Sequence, residues 1–403
     1  MRGNPERTAI TFAQMRKFND DGQAVNVDPE KHFSGAKNEP RWVIPIHVAD
    51  KPGKPGQVRV CHDCKAPVEG KCLNDFILDG PALACDLVGV IMRFRDGGEV
   101  AVGGDIAAFF HHVYTDKKDS AAYRYWWYED ERMISYVLKE FLGHVFGSKG
   151  SSCVATFTLR YHVRRNATRY GPEVVETVEK DFYVDDWLKS MRDVEKAREM
   201  RMKLTAALKE GGFTLCKFKS THPEVLQDSD DPVLPETTED FLSSPTESAD
   251  KILGLRYDFV RDVFFFQPNP EKVMKSVNNK RGMLKVVSSL YDPMGFICPF
   301  VIKGRMCFQK ATKAVKGWND RDTLPEALTA EFGEWQKRMP ELSALRIPRW
   351  TASVGSQDGV KELHVFSDAS MEAYGAVAYR RTVGAGGGAR MWRSPSQKLT
   401  WYL

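Results

Sequence analysis

The chain has 403 residues, 42% of them hydrophobic, which is enough for about two to four domains that each close a core. Its 58 lysines and arginines against 54 acids leave a formal charge of only +4, which excludes a polycation whose whole surface binds nucleic acid; any such site must be a local patch. Eight cysteines without an N-terminal apolar run point to a reducing, intracellular compartment, cytoplasmic or nuclear, and no stretch nears the roughly 18 apolar residues of a membrane span.

The first 40 residues are polar apart from one helical pattern, with Ile10 and Ala13 on one stripe and Phe12, Met15 and Phe18 on its neighbour. From Trp42 to Asp63, short apolar runs (Val43, Ile44, Ile46, then Val58 and Val60) interrupted by the turn-rich 51–56 segment predict an antiparallel hairpin. Further strands are expected at Val100 to Ile106, Tyr123 to Tyr128 and Val178 to Val184. Ser190 to Glu210 reads as a helix, with Ser190 and Asp193 able to cap its start and Gly211-Gly212 ending it. Residues 221–250 hold nine acids, four prolines and no lysine or arginine, the composition of a linker or exposed loop. The charge then reverses: Glu271 to Trp318 carries ten Lys or Arg against two acids, over expected helices at Met274 to Leu290 and Ile302 to Lys316. Another helix is expected from Pro325 to Met339, with Thr323 and Glu326 as a capping box and Leu324, Leu328, Phe332 and Trp335 along one stripe. Leu363 to Ser367 and Ala373 to Tyr379 read as two strands, followed by the Gly-rich run Gly384 to Gly388.

The most specific short string is Phe182-Tyr183-Val184-Asp185-Asp186, a strand ending in two adjacent carboxylates and restarting at Trp187-Leu188. An isolated acidic pair of this kind is most often a solvated turn. Eighty residues earlier, however, Asp105 ends another apolar strand and is followed by Ile106 and the pair Phe109-Phe110. Two neighbouring strands ending in carboxylates can hold a pair of divalent ions, because Mg²⁺ takes a few hard oxygen ligands and leaves room for substrate phosphates. The chemistry that needs this is in-line phosphoryl transfer, the plan shared by polymerases and nucleases.

Tyr183-Val184-Asp185-Asp186 resembles the catalytic signature of reverse transcriptases, and Asp105 to Val113 resembles their first catalytic segment in the form found in BEL/Pao-type retrotransposons. The resemblance continues in order along nearly the whole chain. Arg59 to Asp63 with Leu73-Asn74-Asp75 resembles the fingers, Val145 to Ser152 the segment beneath the new base pair, and Gly211 to Lys217 a palm strand. Ile252-Leu253-Gly254-Leu255 resembles a primer-contacting turn, and Ser289 to Phe296 the region after the palm. The fold this implies is a mixed α/β (α+β) right-hand polymerase: fingers and palm over 1–220, an acidic linker over 221–250, the end of the palm with a basic thumb or connection over 251–350, and an incomplete ribonuclease H-like fold over 351–403.

The resemblance implies RNA-directed DNA polymerase activity, adding deoxynucleoside triphosphates to a primer on an RNA or DNA template. Asp105, Asp185 and Asp186 would be catalytic, ligating Mg²⁺ (or Mn²⁺) with the main-chain carbonyl of Ile106. Phe110 would exclude a ribonucleotide 2′-hydroxyl; Arg59, Phe146, Gly147 and Lys217, with Lys149, would bind the nucleotide; the basic helices would hold primer and template. Cys61, Cys64 and Cys72 beside His62 also have zinc-ligand spacing. Glu362 to Ser370 resembles the opening of a ribonuclease H domain with Asp368 at its first metal position, but only Glu372 follows among acids, so that site is expected to be vestigial. The family commonly has a proline near Ser152 and an arginine near Cys216. These departures keep a second reading open, a catalytically inactive remnant that binds nucleic acid without polymerising.

Overall fold

The computed structural model describes residues 4–34, 42–50, 56–227, 250–274, 276–318, 322–350, 360–383 and 399–401. Most of the acidic segment and the Gly-rich run therefore lie outside the described residues. Chain order gives α1 (Pro5–Asp20), β1 (Ala24–Val27), α2 (Pro29–Ser34), β2 (Ile46–Asp50), β3 (Val58–His62), α3 (Leu87–Asp96), β4 (Val100–Ile106), β5 (Arg124–Tyr128) and β6 (Tyr136–Phe141). Then follow α4 (Ser151–Arg165), α5 (Ala167–Tyr170), α6 (Pro172–Lys180), β7 (Phe182–Tyr183), β8 (Asp186–Met191), α7 (Val194–Glu210) and β9 (Leu215–Ser220). The remainder is β10 (Asp250–Ile252), β11 (Leu255–Asp258), β12 (Val263–Phe265), α8 (Pro270–Met274), α9 (Lys280–Val287), α10 (Cys298–Ala314), α11 (Glu326–Lys337), β13 (Arg346–Pro348), β14 (Val360–Ala369), β15 (Tyr374–Val383) and β16 (Leu399–Trp401).

The chain divides into two compact units. The first comprises residues 1–85, 105–187 and 200–216; the second comprises 86–104, 188–199 and 217–403. In the first, α1 buries Phe12, Met15 and Phe18, while Ala13 of the alternative stripe stays exposed. That stripe packs with Ile44, Val60, Tyr125, Trp127 and Phe141. Here β2 and β3 pair antiparallel as expected, Val48 facing Val60, and β1, β6 and β5 form a three-stranded antiparallel sheet.

A four-stranded sheet runs in the order β7-β8-β4-β9. Val100, Ala101 and Val102 of β4 are buried on successive residues, so both faces of the strand are covered and apolar side chains run without alternation. Two expectations fail beside it. Val178 to Lys180 belong to α6, not to a strand, because Val174, Thr177 and Val178 recur at helical spacing and bury together. Ser190 belongs to β8; α7 begins later, where the Asp193 carboxylate accepts the Lys196 amide at 2.8 Å.

The second unit holds a helical core, with Met283, Val286, Val301, Phe332, Trp335 and Met339 all buried. The helix expected over 274–290 is shorter: α8 ends at Met274 and α9 runs only from Lys280 to Val287. Asn279 sits between them and accepts the Gly282 amide at 2.7 Å, a side chain that competes with helical bonds in mid-helix and satisfies an orphan amide at a start. At α11 the capping residue is Pro325 with no side-chain cap, so the expected Thr323 box does not form, although Leu324, Leu328, Phe332 and Trp335 are all buried. The sheet β10-β11-β12-β13 is closed by β13, a strand from after the helices.

The residue that follows β13 is a buried arginine with many hydrogen bonds. Arg349 is 0% exposed and donates to the carbonyls of Phe94 (3.0 Å), Gly98 (2.9 Å) and Glu99 (2.6 Å), to the Ser190 hydroxyl (2.8 Å) and to both oxygens of Asp262 (2.6 and 2.9 Å). One guanidinium thus joins the end of α3, the turn before β4, β8 and the β11–β12 hairpin. Gly98 lies in that turn because a Cβ there would run into the Met191 carbonyl. Removing the cation would leave the Asp262 carboxylate without its counter-charge, with only the Tyr257 hydroxyl still donating to it, and would take a donor from each of the three carbonyls. Arg349→Met should therefore destabilise folding by about 3–5 kcal/mol, read as a lower midpoint in urea. A midpoint equal to wild type would show the network to be dispensable.

Candidate active site

The centre of interest is the end of β4. The Ile106 amide donates to the Asp185 carbonyl at 2.9 Å, and the Ala107 amide donates to the Thr214 carbonyl at 2.9 Å. The strand carrying Asp105 is thereby pinned on one side to the Asp185 turn and on the other to the residue entering β9. A thiol–carbonyl bond adds to this side, Cys216 Sγ donating to the Asp105 oxygen at 3.4 Å.

The pair Tyr183 and Asp186 face each other across the β7–β8 hairpin, which leaves Val184 and Asp185 as a two-residue tip. Val184 has φ +59. For a β-branched residue this left-handed conformation is a true outlier, unfavourable by about 1–2 kcal/mol, and the usual solution would be glycine or asparagine. The strain is kept where two carboxylates are presented.

Asp105, Asp185 and Asp186 are all half-buried. Three carboxylates and the Ile106 carbonyl are hard oxygen donors of the type Mg²⁺ takes. What adjoins here is main chain: among the described residues, no three Asp, Glu, His or Cys side chains are gathered into a group that could hold a metal ion. That statement also covers Cys61, Cys64, Cys72 and His62, which do not form a zinc set. Cys64 is buried, and burial, with the nearby Asp63 and Cys72 adding to it, pushes its thiol up to about 12.

The structure brings Phe110 to Phe146, ring centroids 4.9 Å apart, while Phe109 turns inward against Phe213. Gly147 has φ +121, and a Cβ there would run into the His62 carbonyl oxygen, so the glycine is required by the fold itself as well as by any close substrate. Its carbonyl accepts the Asn74 amide nitrogen at 2.9 Å, and Asn74 Oδ1 accepts the Lys149 amide at 3.0 Å. Asn74 is thus the clamp of the 147–149 loop, a role that a short polar residue beside a 3₁₀ turn did not announce. Lys149 is exposed and pairs with Asp79 at 3.8 Å. Arg59 lies exposed on β3, facing Ala49. Lys217, exposed and at φ +54, falls in the second unit. So does Asp368, which is exposed on β14 opposite Gly375, its carboxylate accepting the Ala369 amide.

A model of the Pao retrotransposon-like RNaseH-like domain matches residues 279–390. Among solved structures, the foamy viral protease–reverse transcriptase in complex with double-stranded DNA is similar, with a TM-score of 0.58 and 13% identity over 96% of this chain and 54% of that one. The chain is thus similar to a Pao retrotransposon-like domain over that stretch and to the foamy viral protein in fold. No curated protein matches. At 13% identity the structural likeness establishes fold alone, and the chain spans about half the length of that foamy viral protein. The chain is mixed helix and sheet, its fold is similar to that of the foamy viral protein, and the RNaseH-like domain model matches its C-terminal side. No helix among the described residues is long and apolar enough to cross a membrane.

Beneath Phe110 and Phe146, the chain buries two imidazoles: His62, read from the sequence only as a zinc candidate, and His111, which the sequence did not single out. Neither His62 nitrogen has a hydrogen-bond partner among the described residues, nor does His111 Nε2. Burial, with the neighbouring His111, lowers His62 to about 3, and burial with His112 lowers His111 to about 4. The unfolded chain takes up protons on these rings near 6.5, while the fold refuses them until far lower pH. Their contribution is therefore complete above pH 6.5 and is lost as pH falls toward 3–4. Between pH 7 and pH 5, His62 alone should remove about 2 kcal/mol of stability. In urea unfolding at the two pH values, His62→Phe should shrink the difference; an unchanged difference would mean that this ring is not buried neutral.

Proposed function

We propose that this chain is an RNA-directed DNA polymerase, extending a primer 3′-hydroxyl with deoxynucleotides on an RNA or DNA template. The observation that carries the reading is the Ile106–Asp185 main-chain bond, which holds the two aspartate-bearing strand ends side by side. In this reading Asp105, Asp185 and the Ile106 carbonyl hold Mg²⁺, with Mn²⁺ able to replace it, and Asp186 completes or orients the set. When bound, the ions would lower the pKa of the primer hydroxyl and offset charge on the departing oxygen. The chain's own residues do the positioning. Arg59 and Lys149 offset the triphosphate charge, Phe146 and Gly147 form the floor beneath the base pair, and Phe110 occupies the space a 2′-hydroxyl would need.

The domain reading that goes with this assigns residues 1–220 to fingers and palm, 251–350 to the end of the palm and a thumb or connection region, and 351–403 to a ribonuclease H-like segment in which Asp368 is vestigial. The exposed cations Arg281, Lys285, Lys303, Arg305 and Lys313 suit phosphate contacts that ignore base identity. Not all ten basic residues serve that purpose: Lys280 is buried over the Trp318 ring and donates to the Lys316 carbonyl, and Lys310 pairs with Glu331.

The competing reading, an inactive remnant that still binds nucleic acid, is favoured by the carboxylate side chains not being gathered into an ion-holding group. Primer extension on an RNA template with Mg²⁺ separates the two. Wild type should extend, and Asp185→Asn should lose activity by roughly a thousandfold. Equal signal from both proteins, or none from wild type that still binds primer–template, would remove the polymerase assignment.

A further inference from the structure

Three phenylalanines surround the His111 imidazole, with ring centroids at 5.4 Å (Phe18), 4.8 Å (Phe141) and 5.2 Å (Phe146). The ring is 6% exposed, and its Nε2 has no partner among the described residues. Phe146 also meets Phe110, the residue just before His111, at 4.9 Å. The backbone between them is the 3₁₀ turn Phe109–His112, entered through Ala108 at φ +47 and closed by the His111 amide on the Ala108 carbonyl (2.8 Å) and the Val113 amide on the Phe110 carbonyl (3.1 Å). Phe110 is half-buried, so part of its ring has no packing to fix it. Three constraints remain: the Phe109 ring at 5.8 Å, the turn, whose inward anchors are Phe109 and His111, and Phe146, which itself rests on His111.

We propose that His111 is a positioning residue for sugar selection, fixing through Phe146 and the 3₁₀ turn where the Phe110 ring stands, and so how strongly ribonucleotides are refused. This rests on the polymerase reading above. Discrimination by exclusion of one hydroxyl depends on placing the excluding ring to within a fraction of its own size, and displacement by about 1 Å is enough to change rates a hundredfold. The box asks for a flat ring rather than for its polarity, since the buried nitrogen makes no bond.

The test compares kcat/KM for a deoxynucleotide and the matching ribonucleotide, well below the melting temperature of each variant. His111→Ala should reduce the preference for deoxynucleotides by about tenfold, whereas His111→Phe, which keeps a ring, should stay within about twofold of wild type. Should the alanine variant not fold, His111→Leu, which keeps volume without a flat ring, should show the same loss. Phe110→Ala serves as the reference. If it relaxes selectivity while the His111 variants leave the ratio at the wild-type value, the inference is overturned and the polymerase reading stands. If Phe110→Ala also leaves the ratio unchanged, the role given to Phe110 fails, and the inference falls with it.

Discussion

One hydrogen bond sets the terms for the rest of the candidate site: the Ile106 amide donating to the Asp185 carbonyl. Asp105 and Asp185 lie eighty residues apart in the chain, and like charges repel, so carboxylates alone would not converge. Main-chain pairing brings them together without asking the side chains to attract. A strand apolar on both faces finds its place between two neighbours, and the acids at its end arrive as a consequence. Strain at Val184 belongs to the same arrangement, since a relaxed tip would present Asp185 differently.

What the sequence made legible follows from periodicity. The β4 bounds, the β2–β3 hairpin and the buried stripe of α1 could be read because apolar spacing there matches only one element type. Val178 to Lys180 misled because a valine a few residues ahead of a strand was read as part of it, and so short a stretch does not decide between helix and strand. The helix over 274–290 was overextended because periodicity survives across Asn278-Asn279, where capping chemistry overrides it.

Long-range polar architecture was the least legible. Nothing local distinguishes Arg349 from an exposed arginine, yet it gathers carbonyls from residues 94–99 with Ser190 and Asp262. The same holds for Asn74, which holds the loop around Gly147 from 73 residues away. Such residues are chosen by a folded neighbourhood, and a linear pattern carries no trace of it. Lys280 makes the converse point: composition counted it in a basic surface, but burial over Trp318 takes it out.

In the proposed function, the joined strand ends hold divalent ions. Mn²⁺ binding followed by electron paramagnetic resonance, on the full chain with primer–template and a deoxynucleoside triphosphate, addresses it most directly. Two ions per chain are expected, and fewer with Asp105→Asn. Binding at the same stoichiometry and affinity with and without the Asp105 carboxylate would contradict it.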